Sequence, residues 1–148
     1  MTSLSKPVQT PPTGHPAYGQ TLPCETRTAA HGRRLIRDAL GSWHLDGLAD
    51  SAELIITELV ANAARHTPCP SIRLLVNRSS AACVHIGVVD RAPSRLPVFS
   101  PAGADDERGR GLVLIDALAE RWGYTLLGSH PQRGFWGKEI WAELKAAL

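Results

Sequence analysis

The feature that most constrains this chain is a change of hydrophobic period across Pro68. Ahead of it, Leu48, Ala52, Ile55, Leu59 and Ala63 recur at the spacing of one helix face. Behind it, Ile72, Leu74 and Val76 alternate with Arg73, Leu75 and Asn77, and Val84, Ile86 and Val88 alternate toward Asp90, the period of half-buried strands. The residue before a proline is pushed out of the helical region, so the helix is expected to stop before Pro68. Ser79-Ser80-Ala81 separates the two alternating runs and predicts an antiparallel hairpin. Neither a striped helix nor a one-sided hairpin can bury its apolar face alone, so the two are expected to pack as layers. Asp90 shares parity with Val84, Ile86 and Val88, and its side chain is therefore expected to face the covering layer, not water.

The flanking segments extend this pattern. Ala17 to Leu22 reads as a short edge strand stopped by Pro23. Glu25 to Leu40 reads as a helix whose apolar side is Ala29, Leu35, Ile36, Ala39 and Leu40, with Gly41 suited to its C-terminal end. Asp46 is the N-cap candidate for the helix that ends before Pro68. Arg91 to Arg110 has no regular period and is broken by Pro93, Pro97, Pro101 and Gly103, as in a disordered loop or a functional lid. Leu112, Ile115, Leu118, Ala119 and Trp122 then give a helical stripe, and Tyr124 to Leu127 and Phe135 to Leu144 read as two strands joined around Pro131. The order α-α-β-β-loop-α-β-β predicts an α+β fold: a two-layer α/β sandwich with helices on one face of a mixed, largely antiparallel sheet. Residues 1–16, rich in Pro, Thr and Ser, are expected to form a disordered tail, and residues 17–148 a single domain.

Composition narrows the function. Hydrophobic residues make up 43% of the 148, yet no run approaches the roughly 20 apolar residues of a bilayer span. Lys6 is followed by no apolar block, so the N-terminus does not read as a secretory signal. A net charge of +2 without a basic run or basic-aromatic patch gives no case for nucleic acid. Cys24, Cys69 and Cys83 are three cysteines without CxxC spacing, which argues against a disulfide framework or zinc site and for reduced thiols in a cytoplasmic protein. Cys83 reads as a core residue on a strand, the other two as incidental.

Four segments carry candidate chemistry. Glu58, Asn62 and His66 fall at i, i+4 and i+8 along one side of the second helix, at the margin of its buried stripe. Polar groups there are costly unless something occupies them; an amide oxygen suits Mg²⁺, and a carboxylate can take a proton from a hydroxyl. Asp90 ends a strand pointing inward and must find donors: the exocyclic amine of adenine is one, a turn N–H or an arginine are others. Gly109-Arg110-Gly111-Leu112 opens a helix, where backbone N–H groups and the helix N-terminus favour an anion, although the Gly-Lys-Ser/Thr of a Walker motif is absent. Gly134 to Leu144 reads as a plain terminal strand.

In this order, these segments resemble the GHKL (Bergerat-type) ATP-binding fold, and more narrowly bacterial anti-sigma regulatory factors of the serine/threonine kinase type. The N-box resemblance lies in Glu58, Asn62 and the trailing Arg65-His66-Thr67; the next box in Val89 to Ser94, with Pro97 following; the glycine box in Gly109 to Leu112. Gly137-Lys138 through Leu144, and Leu22-Pro23 before an Arg/Ala-rich helix, are also similar, so the resemblance covers roughly residues 17 to 145. It implies Glu58 as general base, Asn62 as the ligand of Mg²⁺, and Asp90 as acceptor of the adenine amine. It places Ala92, Gly109, Arg110, Gly111 and Leu112 around the bound nucleotide. Arg65 would approach a phosphate or remain an exposed structural arginine, and His66 would pack at the helix end. Where many members have Asp-x-Gly-x-Gly, this chain has Arg91, Ala92, Pro93 and Ser94 after Asp90. Thr125 is the nominal candidate for the threonine that often accompanies that Asp.

The function implied is an ATP- and Mg²⁺-dependent serine kinase that holds a sigma factor and phosphorylates an anti-anti-sigma partner. The alternative is a catalytically inactive, nucleotide-dependent binding switch of the same fold. An ATPase subdomain of a histidine kinase is disfavoured, because nothing provides a phosphoacceptor-histidine hairpin. A homodimer is expected by the same resemblance. Trp141, with Glu139 and Glu143 opposite Ile140, Ala142 and Leu144, is a candidate contact for a partner, with packing beneath the N-terminal segment as the other reading.

Overall fold

A computed structural model describes residues 17–97, 107–128 and 134–147, with residues 107–111 described in backbone only. The elements are β1 (Ala17–Pro23), α1 (Thr28–Ser42), a 3-10 turn (Asp46–Leu48), α2 (Ala49–His66), β2 (Ser71–Ser80), β3 (Cys83–Asp90), α3 (Glu107–Leu118), β4 (Arg121–Leu127) and β5 (Gly137–Lys145). The strands form one sheet in the order β1-β2-β3-β5-β4. Every pairing among the described residues is antiparallel, so the expected parallel component is absent there. The expected tail, residues 1–16, and the turn at Pro131 lie outside the described residues.

The strand parity read from the sequence is the parity of the core. Ile72, Leu74, Val76, Val84, Ile86, Val88, Ile140, Ala142 and Leu144 are all buried, against Ile55, Ile56, Leu59, Val60 and Ala63 of α2 and Leu35, Ile36, Ala39 and Leu40 of α1. Each large aliphatic side chain buried in this way contributes about 1.5–3 kcal/mol, which outweighs the local preferences at the element ends. The helices pack on one side of the sheet: α1 on β1 and β2, α2 on β3 and β5, and α3 on β4 and α2.

Several element ends differ from expectation. Gly41 lies inside α1, and the left-handed position after the helix is His44, at φ 57°. There the Leu45 N–H reaches back to the Leu40 carbonyl at 2.9 Å, a closure held by burial of Trp43 and Leu45. Asp46 makes no side-chain cap; it begins the 3-10 turn, and Leu48 precedes α2. Cys83 has the parity of the uncovered sheet face and is half-buried, not core. Trp122 belongs to β4 instead of the α3 stripe, because α3 ends at Leu118. Among the described residues, no helix is long and apolar enough to cross a membrane.

Candidate functional site

Antiparallel register fixes what surrounds Asp90 at one end of the sheet. Asp90 closes β3 beside Lys138 at the start of β5, and Gly137 in turn pairs with Leu127 at the end of β4. Since α3 ends at Leu118, just before β4 begins at the opposite end of the sheet, its N-terminus points back toward Asp90. The C-terminal turn of α2 reaches the same end: three residues past His66, the Cys69 sulfur accepts the Arg91 N–H at 3.3 Å. The C-terminal half of α2, which carries Glu58, Asn62 and Arg65, thus runs toward the end of the helix-covered face where the carboxylate of Asp90 lies.

Glu58 and Asn62 are half-buried, and among the described residues neither side chain has a hydrogen-bond partner. Their polar atoms are open to solvent, and a carboxylate and an amide there could offer oxygen to a hard cation. Arg65 is exposed, able to approach an anion but held by no described contact. The helix N-terminus suits phosphate, since its first N–H groups have no partner within the helix. Gly109 and Gly111 sit inside α3, which begins at Glu107, so the box forms the first turn itself. Leu112 is 3% exposed and packs in the core, so only its backbone could meet a ligand.

Asp90 points inward as its parity predicts, at 2% exposure. It finds both alternatives open to a buried carboxylate, a turn N–H and a cation. Ala92 N–H donates to Oδ1 at 2.8 Å, and the Nζ of Lys138 lies 2.9 Å from both Oδ1 and Oδ2. The same ammonium donates to the Ala92 carbonyl at 2.7 Å. Both polar backbone groups of Ala92 are therefore engaged within the protein, and an implied contact of Ala92 with nucleotide reduces to van der Waals packing. The cation is a lysine, 48 residues on, and neither the alternation of β3 nor the bland pattern of β5 singles it out. The available signal is the lone charge at an inward position of β5, in phase with Ile140, Ala142 and Leu144. Thr125 is not Asp90's companion: it lies on the other face, where its Oγ1 accepts the Trp141 indole N–H at 3.0 Å.

That other face carries a second cluster. His85 is placed directly across from Glu143, and the side chain of Glu139, opposite Val89, reaches it over Gly87. Its Nδ1 is 3.1 Å from Glu143 Oε2 and its Nε2 is 2.8 Å from Glu139 Oε2. Two carboxylates, one on each ring nitrogen, are satisfied together only by the imidazolium, in which both nitrogens donate. Burial alone would lower the pKa of His85, but the bonds and charges of Glu139 and Glu143 prevail and raise it. For Glu143, burial would raise the pKa, but Arg121 and His85 hold it below the usual carboxylate range. Trp141 stacks on His85 with ring centroids 5.5 Å apart, and the Arg121 guanidinium lies 5.7 Å above the Trp141 ring. Trp141 thus packs within its own face among the described residues.

A family model described as a histidine kinase-like ATPase domain matches residues 22–133. The chain is also 42% identical over 76 residues to an uncharacterized protein of Streptomyces coelicolor, an alignment spanning 49% of this chain and 68% of that one.

Proposed function

We infer that this chain, which belongs to the histidine kinase-like ATPase family, is a Mg-ATP-dependent protein serine kinase of the anti-sigma type. What supports the reading is that the half of α2 carrying Glu58 and Asn62 runs toward the end of the sheet where Asp90 lies, with neither of the two side chains bonded among the described residues. Bound Mg-ATP would supply the transferable phosphoryl group and the metal's charge. Glu58 accepts the proton of a partner serine hydroxyl. Asn62 offers its amide oxygen to the metal. Asp90 accepts the amine of the base, and the backbone of the first α3 turn faces the phosphates. A sigma factor and an anti-anti-sigma protein are the partners this reading assigns, with the chain acting as a homodimer.

Calorimetry with Mg-ADP tests the site. Asn62→Ala is expected to weaken binding about tenfold, or roughly 1.4 kcal/mol, and a folded variant with unchanged affinity would remove Asn62 from the metal. Transfer is tested with Mg-ATP and an anti-anti-sigma protein: Glu58→Gln is expected to keep ATP binding and lose phosphoserine formation. A second reading, a nucleotide-responsive switch without transfer, is favoured by one observation. The turn after Asp90 is tied down by Ala92 and Lys138 and lacks the glycines that would let it move. Phosphoserine on the partner excludes that reading.

A further inference from the structure

Lys138 lies outside every role assigned above, yet it governs what Asp90 can accept. A carboxylate offers about four acceptor positions, two on each oxygen. On Asp90, Oδ1 receives both the Ala92 N–H and the Lys138 ammonium, and Oδ2 receives the ammonium. One position remains, on Oδ2, with no described donor, in a side chain only 1% exposed. The ammonium itself has three protons, and Oδ1, Oδ2 and the Ala92 carbonyl take all three. Lys138, 0% exposed, therefore has no donor to offer a ligand and no water to replace its partners.

We propose that Lys138 is the specificity-determining residue for the base, because it leaves Asp90 able to accept one amine and no more. This rests on the nucleotide reading above. A base with a single exocyclic amine, such as adenine, needs one acceptor and finds Oδ2. The edge of guanine presents an imino and an amino proton side by side and needs an acceptor on each oxygen, but Oδ1 is full. Nor can a base displace the lysine. Stripping one partner from a buried ion pair costs more than an amine–carboxylate hydrogen bond returns. The base is read with the pair intact, and a guanine proton left unpaired in a dry site carries the penalty.

The test is calorimetry of Mg-ADP and Mg-GDP on the wild type and on Lys138→Met, with folding checked by circular dichroism. The wild type is expected to prefer ADP by about tenfold or more. Lys138→Met opens a position on each oxygen, and the preference is expected to narrow to about threefold or less as GDP gains. Should Lys138→Met not fold, Lys138→Gln takes its place: its amide has two donors against the ammonium's three, so at least one acceptor is freed, and the preference is expected to narrow in part. A folded variant that keeps the wild-type ratio overturns the role of Lys138 while leaving the nucleotide site standing. A folded wild type that binds neither nucleotide overturns the nucleotide reading and this inference with it.

Discussion

On the helix-covered face of the sheet, Lys138 and Asp90 meet with side-chain exposures of 0% and 1%, whereas on the open face His85, Glu139 and Glu143 keep 17%, 15% and 13%. The covered pair is closed: every ammonium proton has an acceptor, and water cannot repair a missing partner. The open cluster is a shared arrangement in which Glu143 serves both His85 and Arg121, and solvent can reach the edges. Similar chemistry therefore carries different consequences. On the covered face a lost group leaves an uncompensated charge; on the open face it leaves a group that can rehydrate or titrate.

The largest effect should come from breaking the covered pair. Lys138→Met is expected to destabilise the fold by about 3–5 kcal/mol in urea denaturation, and a loss under 1 kcal/mol would show that Asp90 is not held as described. On the open face, Glu143→Gln removes the charge that two cations share and is expected to cost about 1–2 kcal/mol by the same measurement. Equal losses for the two variants would erase the distinction between the faces.

A pH series sharpens the comparison. The pKa of His85 is raised in the folded protein, so its stabilisation is fully present below the ordinary imidazole value of 6.5 and is lost as pH rises through the higher folded value. The pKa of Glu143 is lowered, so its stabilisation is present above the ordinary 4.5 and is lost as pH falls through the lower folded value. The melting temperature should therefore decline as pH rises above 6.5, and His85→Gln should flatten that limb and leave the acid limb in part. A His85→Gln profile that superimposes on the wild type above pH 6.5 would show that the imidazolium contributes nothing.

The smallest effect separates two glycines. A Cβ on Gly87 would lie 2.0 Å from Glu139 Oε2, the far end of a flexible side chain that can swing away. Gly87→Ala is expected to cost less than about 1 kcal/mol and to lower the His85 pKa measured by NMR, because Glu139 is displaced. An unchanged His85 titration would mean that Glu139 does not set it. At Gly137 the obstacle is the Asp90 backbone carbonyl at 2.4 Å, which cannot swing.

Much of this is local and was readable. The helical stripe of α2, the alternation of β2 and β3, and the inward direction of Asp90 depend only on chain period, and burial confirms each. The grouping of Glu58 with Asn62 follows from helix geometry. What period cannot supply is who stands across the sheet. Lys138 opposite Asp90, Glu143 opposite His85 and Thr125 beneath Trp141 are products of register. The element ends at Gly41 and Asp46 depart from local capping preference for a related reason: tertiary burial of Trp43 and Leu45 overrides it.

The amino-acid order by itself determined the periods, hence the two layers, the apolar face of each element and the inward aim of Asp90, because these follow from backbone repeats of 3.6 and 2 residues. Only the tertiary structure decided that β5 lies between β3 and β4, because strand order is fixed by the packing of the whole core. That placement sets Lys138 on Asp90 and His85 between two glutamates.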